Sequence, residues 1–346
     1  MDTSEKRFES DIESFLVSEA GGYEQFSYLN PDGHRIQKYV YDKEKAIYPE
    51  VLVNFIARSQ PKAWARYQKY YGDDAPEKLY RRFQTSVQEN GLLHVLKYGI
   101  EDMGIKLKVC FFKPESDLNE EQNELYKQNI LGCTRQFSYS KLNNNTMDMV
   151  LSVNGIPVVA LELKNQFMGQ DVDCAIEQFK NDRDPKEFCF RLNQRFLVYF
   201  AVDLYNVFMT TSLSGAATRF MPFNQGSNGA GVTGGKGNPV NPDGYATSYL
   251  WEKVLQHDSL LDLINKFISF VKEKEEVERA GQIRLVEKSK LIFPRYHQFD
   301  VVNKVVADVR QFGAGKSYLI EHSAGSGKSN FIAWIMIHIL LSTRER

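Results

Sequence analysis

A chain of 346 residues, 42% hydrophobic and 25% charged, is long enough for two domains or for one large domain and part of another, with an ordinary soluble composition. Its formal net charge of -1 gives no global sign of an acidic or basic partner, so a polyanion would have to meet a local positive surface. The opening MDTSEKRFESD has no apolar segment of a secretory signal, and the longest apolar run, Phe331 to Leu341, falls short of the roughly 18 residues of a membrane span. Cys110, Cys133, Cys174 and Cys189 are scattered without a CxxC pair, which reads as reduced thiols in a cytoplasmic protein.

Taken in chain order, Phe8, Ile12, Phe15 and Leu16 share one face of a helix from Glu5 to Leu16 that ends before Gly21-Gly22. Helical blocks follow from about Pro49 to Tyr71 and from Pro76 to about Lys97. Their basic-aromatic words, WARYQKYY and KLYRRF, suit an aromatic core stripe with a solvated Lys/Arg face, or contact with DNA phosphates. Strand patterns come next at Lys106–Phe112, Arg135–Ser140, Met147–Val153 and Pro157–Lys164. A polar helix from about Asp171 to Asp182 precedes strands at Phe196–Val202 and Val207–Ser212. Asn224 to Gly244, rich in Gly, Asn and Pro, reads as a mobile surface loop, or else as a partner or DNA contact; its GGKG is no phosphate loop, because Asn-Pro follows where a helix should start. Tyr249 to about Ile292 is expected to be mainly helical, with KEKEEVER (Lys272 to Arg279) as a solvated helix face. The remainder reads as a helix (Gln298 to Gln311), a strand (Ser317 to Glu321), a glycine loop and a helix.

The stretch TMDMVLSVNGIPVVALELKN puts ionisable groups into two strands built for a core. By alternation, Met147, Met149, Leu151 and Val153 share one face of the first strand and Asp148, Val150 and Ser152 the other. In the second, Val159, Leu161 and Leu163 face the core and Val158, Ala160, Glu162 and Lys164 face away. A plain two-residue Asn154-Gly155 loop would pair Asp148 with Leu161 and split the acids between faces. Burial of both apolar sets therefore demands an odd-length loop or a bulge, with Asp148 opposite Glu162. Two such carboxylates suit Mg²⁺, and Lys164 would offset charge on a pentacovalent phosphate. A bland alternative leaves the same three groups partly paired at a solvated strand end.

The arrangement resembles the PD-(D/E)xK nuclease fold. RQFSYS followed by DMVLSVNGIPVVALELKN is similar to the endonuclease domain of the type I restriction enzyme R subunit, as are FIARSQPKAW, GLLHVLKYG, AIEQFKNDRDP, the MPFNQGSNGAGV…GNPVNPDGYATSYLWEKVL region and PRYHQFDVV before HSAGSGKSN. That resemblance implies an α/β PD-(D/E)xK restriction-endonuclease-like domain, a mixed sheet flanked by helices, over residues 1–255. A helical connector (256–290) and the incomplete start of a RecA-like helicase domain (291–346) would follow. It makes Asp148 and Glu162 metal ligands and Lys164 the catalytic lysine; Met147 stands where many relatives carry Pro. Of the Gln-x-x-x-Tyr pattern on the next helix only Gln178 is present, since Asp182 replaces the Tyr. Glu9 is the candidate for a first-helix acid that completes the metal site, the alternative being an exposed helix residue.

In SYLIEHSAGSGKSNFIAW an apolar run precedes the glycines and an apolar helix follows, the setting in which backbone N–H groups wrap phosphate. Gly325, Ser326 and Gly327 would line that loop, Lys328 would reach the β/γ-phosphates and Ser329 would hold the Mg²⁺ of ATP. His322 replaces the first glycine of the usual loop, and Gln298 resembles a glutamine that helicases use to read adenine. With no Walker B pair after it, the sequence reads as a fragment of a longer polypeptide. The resemblance implies a Mg²⁺-dependent endonuclease acting on double-stranded DNA, coupled in full length to ATP-driven translocation and joined to methyltransferase and specificity subunits. The alternatives are a RecB-like helicase-nuclease and a non-catalytic docking module of the same fold.

Overall fold

The computed structural model describes residues 5–30, 32–115, 118–279, 282–313, 315–321 and 327–344. Helix α1 (Glu5–Leu16) has the expected bounds and buries Phe8, Ile12 and Leu16 together with Glu9 and Glu13. Seven strands form a mixed sheet in chain order: β1 (Glu24–Gln25), β2 (Leu131–Ser138), β3 (Thr146–Val153), β4 (Ile156–Leu163), β5 (Val198–Val202), β6 (Val207–Thr210) and β7 (Met221–Pro222). The β1–β2 and β4–β5 pairs are parallel and the others antiparallel.

The two long helical blocks each divide in two. Pro49–Ser59 and Pro61–Tyr71 meet at Gln60, because the Pro61 ring cannot continue a helix. Ala75–Asn90 and Leu92–Tyr98 meet at Gly91, whose φ of +84° is left-handed and whose missing Cβ leaves room for the Asn193 amide. The expected strand from Lys106 to Phe112 shortens to Ile105–Leu107, paired with Ile100–Asp102. Trp64, Tyr67, Leu79 and Phe83 are core residues, whereas Tyr70 is exposed.

Both sheet faces are covered. On one, Met149, Leu151, Val153, Val159, Leu161 and Leu163 join the large core with the helices of residues 49–98. On the other, Val150, Ala160 and Tyr199 pack against Val172, Ala175, Ile176 and Phe179 of α2 (Val172–Asn181). Met147 departs from the expected face: opposite Phe137 at the end of the sheet, it packs in the smaller core.

The stretch after residue 268 corrects the reading of a mainly helical connector. Residues beyond the short helix His257–Asp262 and the turn Leu263–Phe267 form a two-stranded ribbon, β8 (Ser269–Arg279) and β9 (Gln282–Ile292). KEKEEVER is therefore strand. Two of its charges pair across the ladder, Glu273 with Lys290 at 2.7 Å and Lys272 with Glu287 at 3.4 Å, instead of along a helix. Helix α3 (Tyr296–Phe312) and helix α4 (Lys328–Arg344) follow. The strand expected at Ser317–Glu321 is not formed: among the described residues no strand pairs with it, and an unpaired run has no ladder to hold it extended.

No packing gap marks residue 290. Tyr296, Phe299, Val302, Phe331 and Trp334 belong to the same core as Phe223, Leu260 and Phe267. The Trp334 indole N–H donates to the Phe267 carbonyl at 2.8 Å, and the His338 ring meets Asp262 at 3.1 Å. Asn224–Gly244 is a surface loop tied by its own asparagines: Asn238 donates to the Tyr205 carbonyl and Asn228 to that of Thr233. Lys304 of α3 donates to the Ala230 carbonyl. Cys110, Cys133 and Cys189 are buried free thiols and Cys174 is exposed. Among the described residues no helix is long and apolar enough to cross a membrane.

Candidate active site

The β3–β4 connection is the two-residue Asn154-Gly155 turn, both residues having positive φ (51° and 83°), with Val153 paired to Ile156. That turn alone would separate the acids. A bulge corrects it: Ser152 pairs with Pro157, but Leu151 pairs with Val159 and Met149 with Leu161, leaving Val158 as the extra residue. Pro157 has no N–H to give the ladder, so the irregularity falls beside a bond that could not form. Beyond the bulge Asp148 lies level with Glu162, and the Asp148 carboxylate accepts the Leu163 N–H at 2.7 Å.

On this side of the ribbon's end Asp148 and Lys164 meet Glu9 and Glu5 of α1, while neighbouring Glu162 meets Arg183. That side is not wet, as a solvated strand end would require: Asp148, Glu162 and Lys164 are 7%, 0% and 8% exposed. Lys164 Nζ lies 3.8 Å from Asp148 and 3.3 Å from Glu5. One carboxylate oxygen each from Glu5, Glu9 and Asp148 lies within 4.8 Å of the others. Glu9 therefore lies buried among these acids. Glu5, one helical turn earlier, was not singled out from sequence, although i,i+4 spacing puts it on the same face.

Three further residues brace this cluster. Arg135 of β2 pairs with Glu9 at 2.9 Å and Glu13 at 3.1 Å, fastening α1 to the sheet. Gln136 sits across from Asp148 with a φ of +48°, a left-handed conformation that strains a residue with a Cβ. Its amide donates to Glu9 at 3.0 Å and Asp148 at 3.4 Å, and its oxygen accepts from Thr146. Arg183, just past α2, is bonded to Glu162 in a sealed ion pair. Nothing in the alternation of RQFS or in the word NDRDP marked these residues; their roles come from long-range contacts.

Charge is poorly balanced here. Among the described residues Glu5, Glu9, Glu13, Asp148 and Glu162, five acids, face four cations: Arg135, Lys164 and Arg183, and Arg35 near Glu9 and Glu13. Burial, then the charge of Asp148, pushes the Glu162 carboxyl well above the usual range, against the pull of Arg183. Glu9 is raised by burial and by Asp148, and Glu5 by burial, with Lys164 opposing and Asp148 adding. Burial alone would lower Lys164, but Asp148, Glu5 and Glu162 outweigh it and hold the ammonium above its ordinary value. Glu162 Oε2 is buried with no hydrogen-bond partner among the described residues. A hard, all-oxygen donor set with surplus negative charge and a bare buried oxygen fits a divalent cation such as Mg²⁺.

The family model for the N terminus of the type I restriction enzyme R protein matches residues 5–228, well over half of the chain. The chain belongs to that family. It is also similar to a protein of Methanocaldococcus jannaschii inferred to be the endonuclease subunit of the type I restriction enzyme MjaVIIIP. The two are 24% identical over 282 residues, covering 77% of this chain and 24% of the relative. The chain therefore spans about a quarter of that relative's length.

Outside the acid cluster, this R-protein chain places the other expected residues as follows. Gln178 is half-buried on α2, and among the described residues its side chain makes no hydrogen bond to the cluster. Gly325 and Ser326, like His322, lie outside the described residues. Gly327 has a φ of +78°, and Lys328 and Ser329 are exposed in the first turn of α4. Gln298, buried in α3, donates to the Gly327 carbonyl at 3.2 Å, so the two ends of the expected nucleotide site meet. A cleft of about 790 Å³ lies away from the acids, between α3, helix His257–Asp262 and residues 112–115. There Lys266 bridges Glu115 at 2.5 Å and Asp262 at 2.8 Å.

Proposed function

We propose that this chain is the nuclease-bearing part of a type I restriction R subunit, hydrolysing phosphodiester bonds of double-stranded DNA with Mg²⁺. The observation that carries the reading is the bulge at Val158, which brings Asp148 level with Glu162 beside Lys164. Asp148, Glu9 and Glu5, whose carboxylate oxygens lie within 4.8 Å of one another, would hold the ion, and Glu162 would join them through its bare Oε2. When bound, Mg²⁺ supplies a Lewis acid for the scissile phosphate and an acidified water. Lys164, held protonated by its carboxylate neighbours, would stabilise negative charge growing on the phosphate instead of removing a proton. Arg135 and Gln136 keep Glu9 and Asp148 aimed at one point. Gln178 would act on DNA bound above α2.

In the full subunit, the region from Tyr296 would begin an ATP-driven translocase, with methyltransferase and specificity subunits as partners. Two features support this. Gln298 touches Gly327 at the start of α4. α4 also exposes Ile332, Met336 and Leu340 at i, i+4 and i+8, an apolar stripe of the kind that further chain covers. Gly325, Ser326, Lys328 and Ser329 would then hold the phosphates and Mg²⁺ of ATP.

The test is cleavage of supercoiled plasmid with Mg²⁺ by the chain and by Asp148→Ala. A loss of activity of at least about 100-fold is expected. Undiminished cutting by the variant would remove the site. A second reading, a docking module that keeps the fold without catalysis, is favoured by the complete burial of Glu162 against Arg183. Calorimetric titration with Mn²⁺ in the presence of DNA separates the two, since a docking module takes up no ion.

A further inference from the structure

We propose that Arg183 is a positioning residue for Glu162, occupying one carboxylate oxygen so that the other is presented bare to the divalent ion. The inference rests on the nuclease reading above. Arg183 is 1% exposed and Glu162 is fully buried, so neither is a surface charge that happens to be near the other. An arginine that merely neutralises a glutamate usually places one N–H on each oxygen, in a two-pronged fork. Here both prongs converge on a single atom. Nε donates to Glu162 Oε1 at 3.1 Å and Nη2 donates to the same Oε1, while Oε2 has no hydrogen-bond partner among the described residues. A buried carboxylate oxygen left bare is costly unless water or an ion completes it. The arrangement is uneconomical as a structural ion pair and well suited to a ligand kept ready.

The rest of the guanidinium fixes the strands that carry the acids. Nη2 donates to the Thr146 carbonyl at 2.7 Å, two residues before Asp148 on β3. Nη1 lies 3.3 Å from the Tyr139 hydroxyl and 3.4 Å from the Asp182 carbonyl, and Cζ stands 5.2 Å from the centre of the Tyr139 ring. One side chain thus links the start of β3, the end of β4, the segment after β2 and the end of α2. The separation of Asp148 from Glu162 is set by that link. Lysine could supply the charge but not the planar set of donors.

The experiment measures Mn²⁺ binding by calorimetry, and Mg²⁺ dependence of plasmid cleavage, for the whole chain as wild type, R183K and R183Q. Circular dichroism checks that each variant is folded. Mn²⁺ affinity is expected to fall 10- to 100-fold in R183K, as for other residues that orient a metal ligand, and at least as far in R183Q. Maximal cleavage by R183K should return in part at high Mg²⁺, a split that simple loss of fold would not produce. A folded R183K with wild-type Mn²⁺ affinity and wild-type Mg²⁺ dependence overturns the proposal; should R183Q not fold, R183K alone decides. If that result appears while Asp148→Ala is inactive, only the role of Arg183 falls. If Asp148→Ala cuts like the wild type, the nuclease reading falls and this inference with it.

Discussion

Two hairpins of this chain follow one plan to opposite ends. β3–β4 has strands of eight residues, buried almost throughout, and its ladder slips by one residue at Val158. β8–β9 has strands of eleven residues, and its register runs unbroken from Ser269–Ile292 to Arg279–Gln282. The inner hairpin must satisfy a core on each face, so packing overrides the register that its turn would set. The outer ribbon meets the core at its base, through Phe270, Leu291 and Ile292, and its register follows the ladder and charge pairs such as Lys290–Glu273. Irregularity thus appears where burial enforces it, and that is where carboxylates are driven together.

The strongest way to break this comparison is to delete Val158. Without the bulge, Glu162 moves to the other face and leaves Arg183 buried without its partner, a loss of about 3–5 kcal/mol. Urea unfolding of the deletion variant measures it, and wild-type stability would refute the account of the bulge. Next in size is metal linkage. Mg²⁺ at about 100 times its dissociation constant should stabilise the chain by about 2.7 kcal/mol at pH 8. Glu5, Glu9 and Glu162 have raised proton affinities, so they hold protons at pH values above the usual carboxylate range. A protonated carboxyl is a poor ligand, hence the gain in melting temperature should shrink as pH falls from 8 towards 5. A Mg²⁺ effect independent of pH would sever the acids from the ion.

A smaller loss is expected for Asn154→Ala. Asn154 takes the left-handed conformation of the inner turn, and its side chain bonds Ile130, Val109 and Asn129. About 1–3 kcal/mol should go, read by thermal melting. The smallest effect belongs to the outer ribbon: Lys290→Ala removes an exposed pair with Glu273 and should change stability by no more than about 0.5 kcal/mol. A larger change would mean that the ribbon depends on more than its own ladder.

The inner hairpin was legible because burial ties strand parity to register, even though Met147 at the end of the sheet departs from it. Asp148, Glu162 and Lys164 could meet on one side only through an odd connection, and the bulge supplies it. The outer ribbon was not, since Lys and Glu favour helices locally and only cross-strand partners reveal the ladder. α1 showed its apolar stripe plainly, yet the value of Glu5 depends on where that helix lies against β3. Arg135, Gln136 and Arg183 are separated from their partners by up to 129 positions, and no local pattern can show such contacts. The strand expected before the glycine loop fails for a related reason: a β pattern becomes a strand only beside another.

The bond from Trp334 to the Phe267 carbonyl has a practical consequence. A cut made near residue 290, where sequence suggests a clean boundary, would strip α3 and α4 from Phe223, Phe267 and Tyr249 and leave these rings facing water. An excised nuclease of that length should precipitate or self-associate on purification. Expression boundaries that keep α4 with the sheet would preserve a soluble product.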